Sequence, residues 1–230
     1  MTAQDIAQMM DLSCVRTYSS ESDINQLILT AQKYRCGHIS VLQCFIPYVK
    51  KRLKDSPDIK LIGNVSFPSG SDSTSIKVAQ AKELIQQGCD ELDMVINVGK
   101  LLSGKYAEVE EDVKAVVDAA KGLPVKVIIE VPYLSDKEIE KACRISINSG
   151  AAFIKTDTGW TPRGTTCDDI KRIKAIVGDA IMIKASGGIR NLNTLVDMYK
   201  LGARRFGVNL KSGVEILNEC LARNGITVEI

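Results

Sequence analysis

The chain has 230 residues, 45% hydrophobic and 25% charged, and its 30 basic and 28 acidic residues leave a formal net charge of +2. This is the composition of a globular protein long enough for one large core. It speaks against a membrane protein, since no apolar stretch reaches the roughly 20 residues of a span, and against a nucleic-acid-binding protein, since no extended basic patch exists.

The opening MTAQDIAQMM lacks the layout of a signal peptide, so a cytoplasmic location is the default expectation. From there, strand-like apolar runs fall at 12–15, 39–43, 60–67, 91–97, 125–131, 153–158, 181–186 and 205–209. Stretches with helical spacing separate them, at 23–34, 46–54, 73–87, 106–121, 136–149, 167–177 and 192–201. The KKRLK cluster at 50–54 contains no aromatic residue and reads as the solvated end of a helix. Ser135 followed by Glu138 has the spacing of a capping box, and Gly37, Gly88, Gly122, Gly150, Gly178 and Gly202 sit where helices should close. No proline-rich or low-complexity linker interrupts the pattern, which predicts one domain over 1–230. Eight strands alternating with helices in this length predict a (β/α)8 TIM barrel. The alternative, a doubly wound sheet, lacks a GxGxxG after its first strand.

Seven cysteines form no CxxC pair and read as reduced, mostly buried thiols. The single histidine, His38, opens the second strand and reads as structural; a zinc site or a Ser-His-Asp triad does not fit this inventory. The informative residues are the polar interruptions of buried strands: Lys126 in VKVIIE, Lys155 in FIKTDT, Lys184 in IMIKAS and Asp93 in ELDMVIN. An isolated buried ammonium is very costly, so each lysine needs a partner or must give up its proton. Period-two alternation puts Asp93 with Val95, Lys126 with Glu130, and Lys155 with Phe153 and Asp157 on the faces turned into the barrel. Any one such residue is ordinarily a structural ion pair; Asp93, Lys126, Glu130, Lys155 and Lys184 converging from four successive strands point to a catalytic interior. Paired lysines without metal ligands suit Schiff-base chemistry, in which a neutral amine attacks a carbonyl and the iminium acts as an electron sink. Such an amine must sit several units below the ordinary lysine value of about 10.4, which burial and a neighbouring ammonium both favour. Asp93 is placed to accept a hydroxyl proton or to hold a water that shuttles one. The SGGIR turn at 186–190, after the seventh strand, is a candidate anion loop in which Gly187 and Gly188 allow close backbone approach and Arg190 adds charge.

Together the motifs MDLS, NVSFPSG, ELDMVINVGKLLSG, VKVIIE, GAAFIKTDTG, KASGGIR and RFG run over nearly the whole chain and resemble deoxyribose-phosphate aldolase. This is the class I aldolase family that joins acetaldehyde and glyceraldehyde 3-phosphate. The resemblance implies Lys155 as the Schiff-base lysine, Lys184 as the lysine that perturbs it, Asp93 as the proton-relay acid and Lys126 as support for that network. It also implies a small sugar-phosphate or aldehyde substrate, no cofactor, a phosphate site among Gly159, Gly187, Gly188, Arg190, Gly207, Asn209 and the position of Asp157, and a homodimer. Departures gather where the phosphate should sit. Asp157 stands where the family has serine, Trp160 where some members have lysine, Asn209–Leu210 where two serines are usual, and Ser40 at a usual cysteine position. An added carboxylate beside a dianion is unfavourable, whereas Arg163, Arg190 or Lys211 would compensate. The alternatives left open are a paralogous aldolase for a different or unphosphorylated sugar and a non-catalytic barrel that only binds.

Overall fold

The strand-like runs pair in chain order into one closed parallel sheet: β1 (Met10–Cys14), β2 (His38–Val41), β3 (Lys60–Val65), β4 (Glu91–Val95), β5 (Val125–Ile128), β6 (Phe153–Lys155), β7 (Met182–Ser186) and β8 (Ala203–Asn209). This computed structural model describes residues 1–224, so residues 225–230 of the expected domain lie outside the described residues. β1 pairs with both β2 and β8, which closes the barrel and leaves no edge. Parallel neighbours need crossovers, and the chain supplies helices for them: α1 (Ala3–Gln8) precedes β1, then follow α2 (Glu21–Tyr34), α3 (Ile46–Arg52), α4 (Thr74–Gln86), α5 (Val98–Leu102), α6 (Tyr106–Ala119), α7 (Asp136–Asn148), α8 (Cys167–Val177), α9 (Leu192–Lys200) and α10 (Leu210–Ala222). The (β/α)8 barrel expected from the alternation is the fold.

The core lies between sheet and helices. Outward strand residues such as Leu12, Leu92, Met94, Val127, Ile154 and Ile183 meet helix stripes at i, i+3, i+4 spacing, as in Ile24, Leu27, Ile28 and Ala31 of α2 or Ile170, Ile173 and Val177 of α8. Burying each such side chain contributes roughly 1.5–3 kcal/mol. The Ser135–Glu138 capping box forms as expected, Glu138 accepting from the Ser135 N–H at 2.7 Å. None of the described helices is long and apolar enough to cross a membrane.

Three helices go beyond the sequence expectation, namely α1, α5 and α10. Thr2 caps α1, whose Ile6 and Ala7 are buried, and the Gly37 N–H donates to the Ala7 carbonyl at 3.0 Å, so α1 closes the N-terminal end of the barrel. α10 starts at the end of β8 without a linker, capped by Asn209. Six strands are shorter than expected, β5 and β6 by the most, three residues each. β5 stops at Ile128 because Glu130 takes a left-handed conformation (φ 56°) and leads into the turn Val131–Tyr133, and β6 stops at Lys155 where the chain leaves the sheet for the mouth of the barrel. α2 closes on Arg35 in the left-handed region rather than on Gly37.

Candidate active site

The strand register assembles the site. Asp93 lies opposite Lys126, Lys155 opposite Lys184, and Asp11 opposite His38, and residues paired in this way project on the same side of a parallel sheet. An irregularity in the β7–β8 pairing at Ile183 and Lys184 brings Arg205 opposite Lys184. Arg204 turns outward and donates to the Tyr199 carbonyl.

Inside the barrel these residues form one charged cluster. Lys155 and Lys184 both donate to the same oxygen, Asp93 Oδ2, at 2.9 and 2.7 Å, while Lys126 donates to Asp93 Oδ1 at 3.0 Å. Lys184 also pairs with Asp11, Lys126 with Glu91 at 2.5 Å, and Arg205 bridges Asp11 and Glu91, each at 2.9 Å. His38 sits between Asp11 and Glu91 at 3.6 and 3.4 Å, in keeping with a structural role. Burial opposes the charge on Asp93, yet Lys126, Lys155 and Lys184 hold its carboxyl well below the ordinary range. Burial opposes the charge on Lys126 as well, and Asp93, Asp11 and Glu91 outweigh it, raising that ammonium. For Lys184 burial wins over Asp11 and Asp93 and pushes the ammonium down to about 8.

Above the cluster opens a cleft of about 530 Å³ at the C-terminal mouth of the barrel, where TIM-barrel sites lie. Lys155, Lys184 and Asp11 form its floor. Asp93 and Lys126 are fully buried beneath and do not line it, so Asp93 touches the cleft floor only through the two lysines it holds. Gly159, Gly187, Gly188, Arg190, Gly207, Asn209 and Asp157, all expected at a binding site, line the same cleft. Gly187 and Gly188 have φ of +81° and +82°, which favours glycine. A Cβ on Gly164 would stand 2.6 Å from Gly188 Cα, so the loops after β6 and β7 touch through bare backbone. Thr165 ties them further, its backbone N–H donating to the Gly187 carbonyl at 3.0 Å. The Asn209 side chain is occupied at the start of α10, accepting from the Ser212 N–H at 2.9 Å.

Asp157 does not present a bare carboxylate. Its Oδ1 accepts from the Gly159 N–H at 2.7 Å and its Oδ2 from Thr161 at 2.9 Å. Next to it Glu130 accepts from the Thr158 N–H at 2.5 Å and from its hydroxyl at 2.9 Å. Burial first, and then Asp157, push Glu130 up to about 7; burial likewise raises Asp157. Burial thus disfavours the charged form of both acids. Glu130, expected among the interior residues, belongs to this pair rather than to the lysine cluster. Arg163 lines the cleft but spends its guanidinium on buried Asp169, at 2.7 and 3.2 Å.

Four participants were not singled out from the sequence: Asp11, Glu91, Arg205 and Arg16. The first three carry the period-two signal, Glu91 sharing a face with Asp93. Arg16, in the loop after β1, carries no local signal. Among the described residues no group of three His, Cys, Asp or Glu side chains is placed to hold a metal ion.

The fold and site define a carbon–carbon lyase of the aldolase type, and comparison with known proteins agrees. The family model described as DeoC/LacD family aldolase matches residues 6–217, and the chain belongs to that family. It is 41% identical to a deoxyribose-phosphate aldolase of Rhizobium meliloti (strain 1021), over 100% of this chain and 93% of that protein. Among solved structures it superposes on one titled "QR15, an Aldolase", with a TM-score of 0.89 at 36% identity, covering 95% of this chain and 97% of that one. A crystal structure of a putative deoxyribose-phosphate aldolase from Coccidioides immitis gives a TM-score of 0.91 at 32% identity, covering 96% and 87%.

Proposed function

We propose that the cleft carries out reversible, Schiff-base cleavage of 2-deoxyribose 5-phosphate to acetaldehyde and glyceraldehyde 3-phosphate, with Lys155 as nucleophile and no cofactor. The observation that carries this reading is the sharing of Asp93 Oδ2 by two lysines at the cleft floor. Lys184 is held by two carboxylates, Asp11 and Asp93, whereas among the described residues Lys155 pairs with Asp93 alone. Lys155 is also the more exposed of the two, 7% against 1%. It is the lysine free to leave its partner and attack.

The charge count supports a neutral amine in this cluster without choosing between its lysines. Asp11, Glu91 and Asp93 face Lys126, Lys155, Lys184 and Arg205. Loss of one ammonium proton leaves three anions against three cations, so a neutral amine costs the cluster no balance. The amine adds to the aldehyde carbon of the open-chain sugar, and the carbinolamine loses water to give the iminium. The hydroxyl on carbon 3 then gives up its proton and becomes a carbonyl as the carbon 2–carbon 3 bond breaks. The released electron pair passes into the iminium, leaving an enamine on Lys155 and free glyceraldehyde 3-phosphate. Protonation of the enamine carbon and hydrolysis release acetaldehyde. Lys184 and Asp11, both lining the cleft, are the groups placed to pass these protons, with Asp93 holding Lys184 in position.

The unphosphorylated alternative draws on Asp157 as an open carboxylate. With both its oxygens engaged by loop donors, the phosphorylated sugar is favoured. Retro-aldol turnover of 2-deoxyribose 5-phosphate, set beside 2-deoxyribose, tests this. Preference for the neutral sugar would replace the substrate, and no cleavage of either would refute the proposal.

A further inference from the structure

The outer half of the cleft has an uneven balance of charge. The carboxylate on the floor, Asp11, is engaged with Lys184 and Arg205, and those of the outer half are engaged too: Asp157 with its own loop and Glu130, and Asp23 with the start of α2, where it accepts from the Ser20 N–H at 2.8 Å. Two of the cleft's cations are also committed. Arg163 is bound to Asp169, and Lys211 lies 86% exposed beside Glu215 on its own helix. Arg16 and Arg190 form no ion pair with any described residue.

Of these two, Arg16 is held in place without being neutralised. One guanidinium nitrogen donates to the Gly159 carbonyl at 2.8 Å, and its carbon lies 5.0 Å from the centre of the Trp160 ring. Trp160 is in turn packed edge-on against Phe67, 6.5 Å between centroids, and Phe67 lies 5.9 Å from the Lys155 amine. Trp160 does not itself line the cleft; Arg16 does. A guanidinium has five N–H donors, and stacking on an aromatic face leaves its edge available. The result is a pre-oriented cation with unused donors, on a loop that touches the loop after β6 and lines the same cleft as the Gly187–Gly188 turn.

We propose that Arg16 is the specificity-determining residue for the charged end of the substrate, receiving a terminal phosphate monoester between its guanidinium edge and the Gly187–Gly188 turn. This rests on the reading of Lys155 as the Schiff-base lysine. It also accounts for Trp160: a position without charge of its own supports a charge that arrives from another loop.

The test is kinetic. kcat and KM are measured for 2-deoxyribose 5-phosphate and 2-deoxyribose with wild type, Arg16→Met, Arg16→Lys and Trp160→Leu, along with competitive inhibition by inorganic phosphate. The expected result for Arg16→Met is a loss in kcat/KM on the phosphorylated sugar exceeding that on the neutral sugar by about tenfold, the size of one charge-assisted contact, and seen mainly in KM. Inhibition by inorganic phosphate weakens in parallel, Arg16→Lys recovers part of the loss, and Trp160→Leu loses in the same direction by a smaller factor. Equal losses on both sugars, or unchanged phosphate inhibition, would overturn the proposal. Trapping of acetaldehyde on Lys155 by borohydride involves no phosphate and separates the two levels. An Arg16→Met protein that still traps while losing phosphate selectivity supports both, whereas a wild type that does not trap overturns the aldolase reading and this proposal with it.

Discussion

At the scale of single residues, Lys155 and Lys184 occupy equivalent places on adjacent strands and differ in their partners. Replacing Lys155 with methionine removes the proposed nucleophile, and the expected loss in kcat is at least about a thousandfold. Lys184→Leu acts differently, because it strips a cation from both Asp11 and Asp93, which are buried. Breaking a buried pair on one side costs on the order of 3–5 kcal/mol, so this variant should lose both turnover and denaturant stability; a stable Lys184→Leu protein that kept its ligand would instead describe a binding module. The Glu130–Asp157 pair adds a pH dependence. Glu130 holds its proton more tightly when folded, near 7 against an ordinary 4.5, so its contribution to stability is full below about pH 4.5 and is lost as pH rises through about 7. Glu130→Gln, which has no carboxyl to titrate, should flatten that decline in unfolding curves between pH 5 and 8; an unchanged slope would count against the pair. Lys126, Lys155, Lys184 and Asp93 were legible in the sequence because a charge inside a β-branched run is conspicuous. Asp11, Glu91 and Arg205 were not, since each stands at or beyond the end of its expected strand, where a charge is unremarkable. Arg16 depends on contacts from residues more than a hundred positions away, and no local pattern encodes that.

At the scale of elements, one polar contact stands outside the site. Lys77 of α4 is fully buried and donates to Asp112 of α6 at 2.5 Å and to the Val95 carbonyl at 3.1 Å, while Thr74 donates to the other Asp112 oxygen at 2.8 Å. These bonds fasten two helices to the end of β4, the strand that carries Asp93. Asp112→Ala should cost on the order of 3 kcal/mol by leaving the Lys77 ammonium unpaired, whereas Lys77→Met with Asp112→Leu should restore much of it. Chemical denaturation of the single and double variants decides this, and additive losses would contradict it. The eight strands and seven of the helices were legible from periodicity, because their buried faces are continuous. α1 and α5 are only one to two turns long, too short to establish a period. α10 was missed because β8 runs into it without the polar linker that normally separates elements.

At the scale of the whole molecule, the barrel separates tasks along its axis: α1 closes one end, a charged cluster fills the middle, and the loops of the other end shape the cleft. Stability and chemistry meet in that cluster, which replaces the aliphatic layers usual inside such barrels. The homodimer implied by the family resemblance is open to sedimentation velocity at micromolar concentration, where a single monomeric species would exclude it. The central claim, that Lys155 forms the covalent intermediate, has one direct measurement. The protein is incubated with acetaldehyde, reduced with borohydride, digested and mapped by mass spectrometry. The expected result is a stable two-carbon adduct on Lys155, absent from the Lys155→Met variant and present without any added metal or cofactor. An adduct on Lys184 or elsewhere in place of Lys155, or none at all, would contradict it.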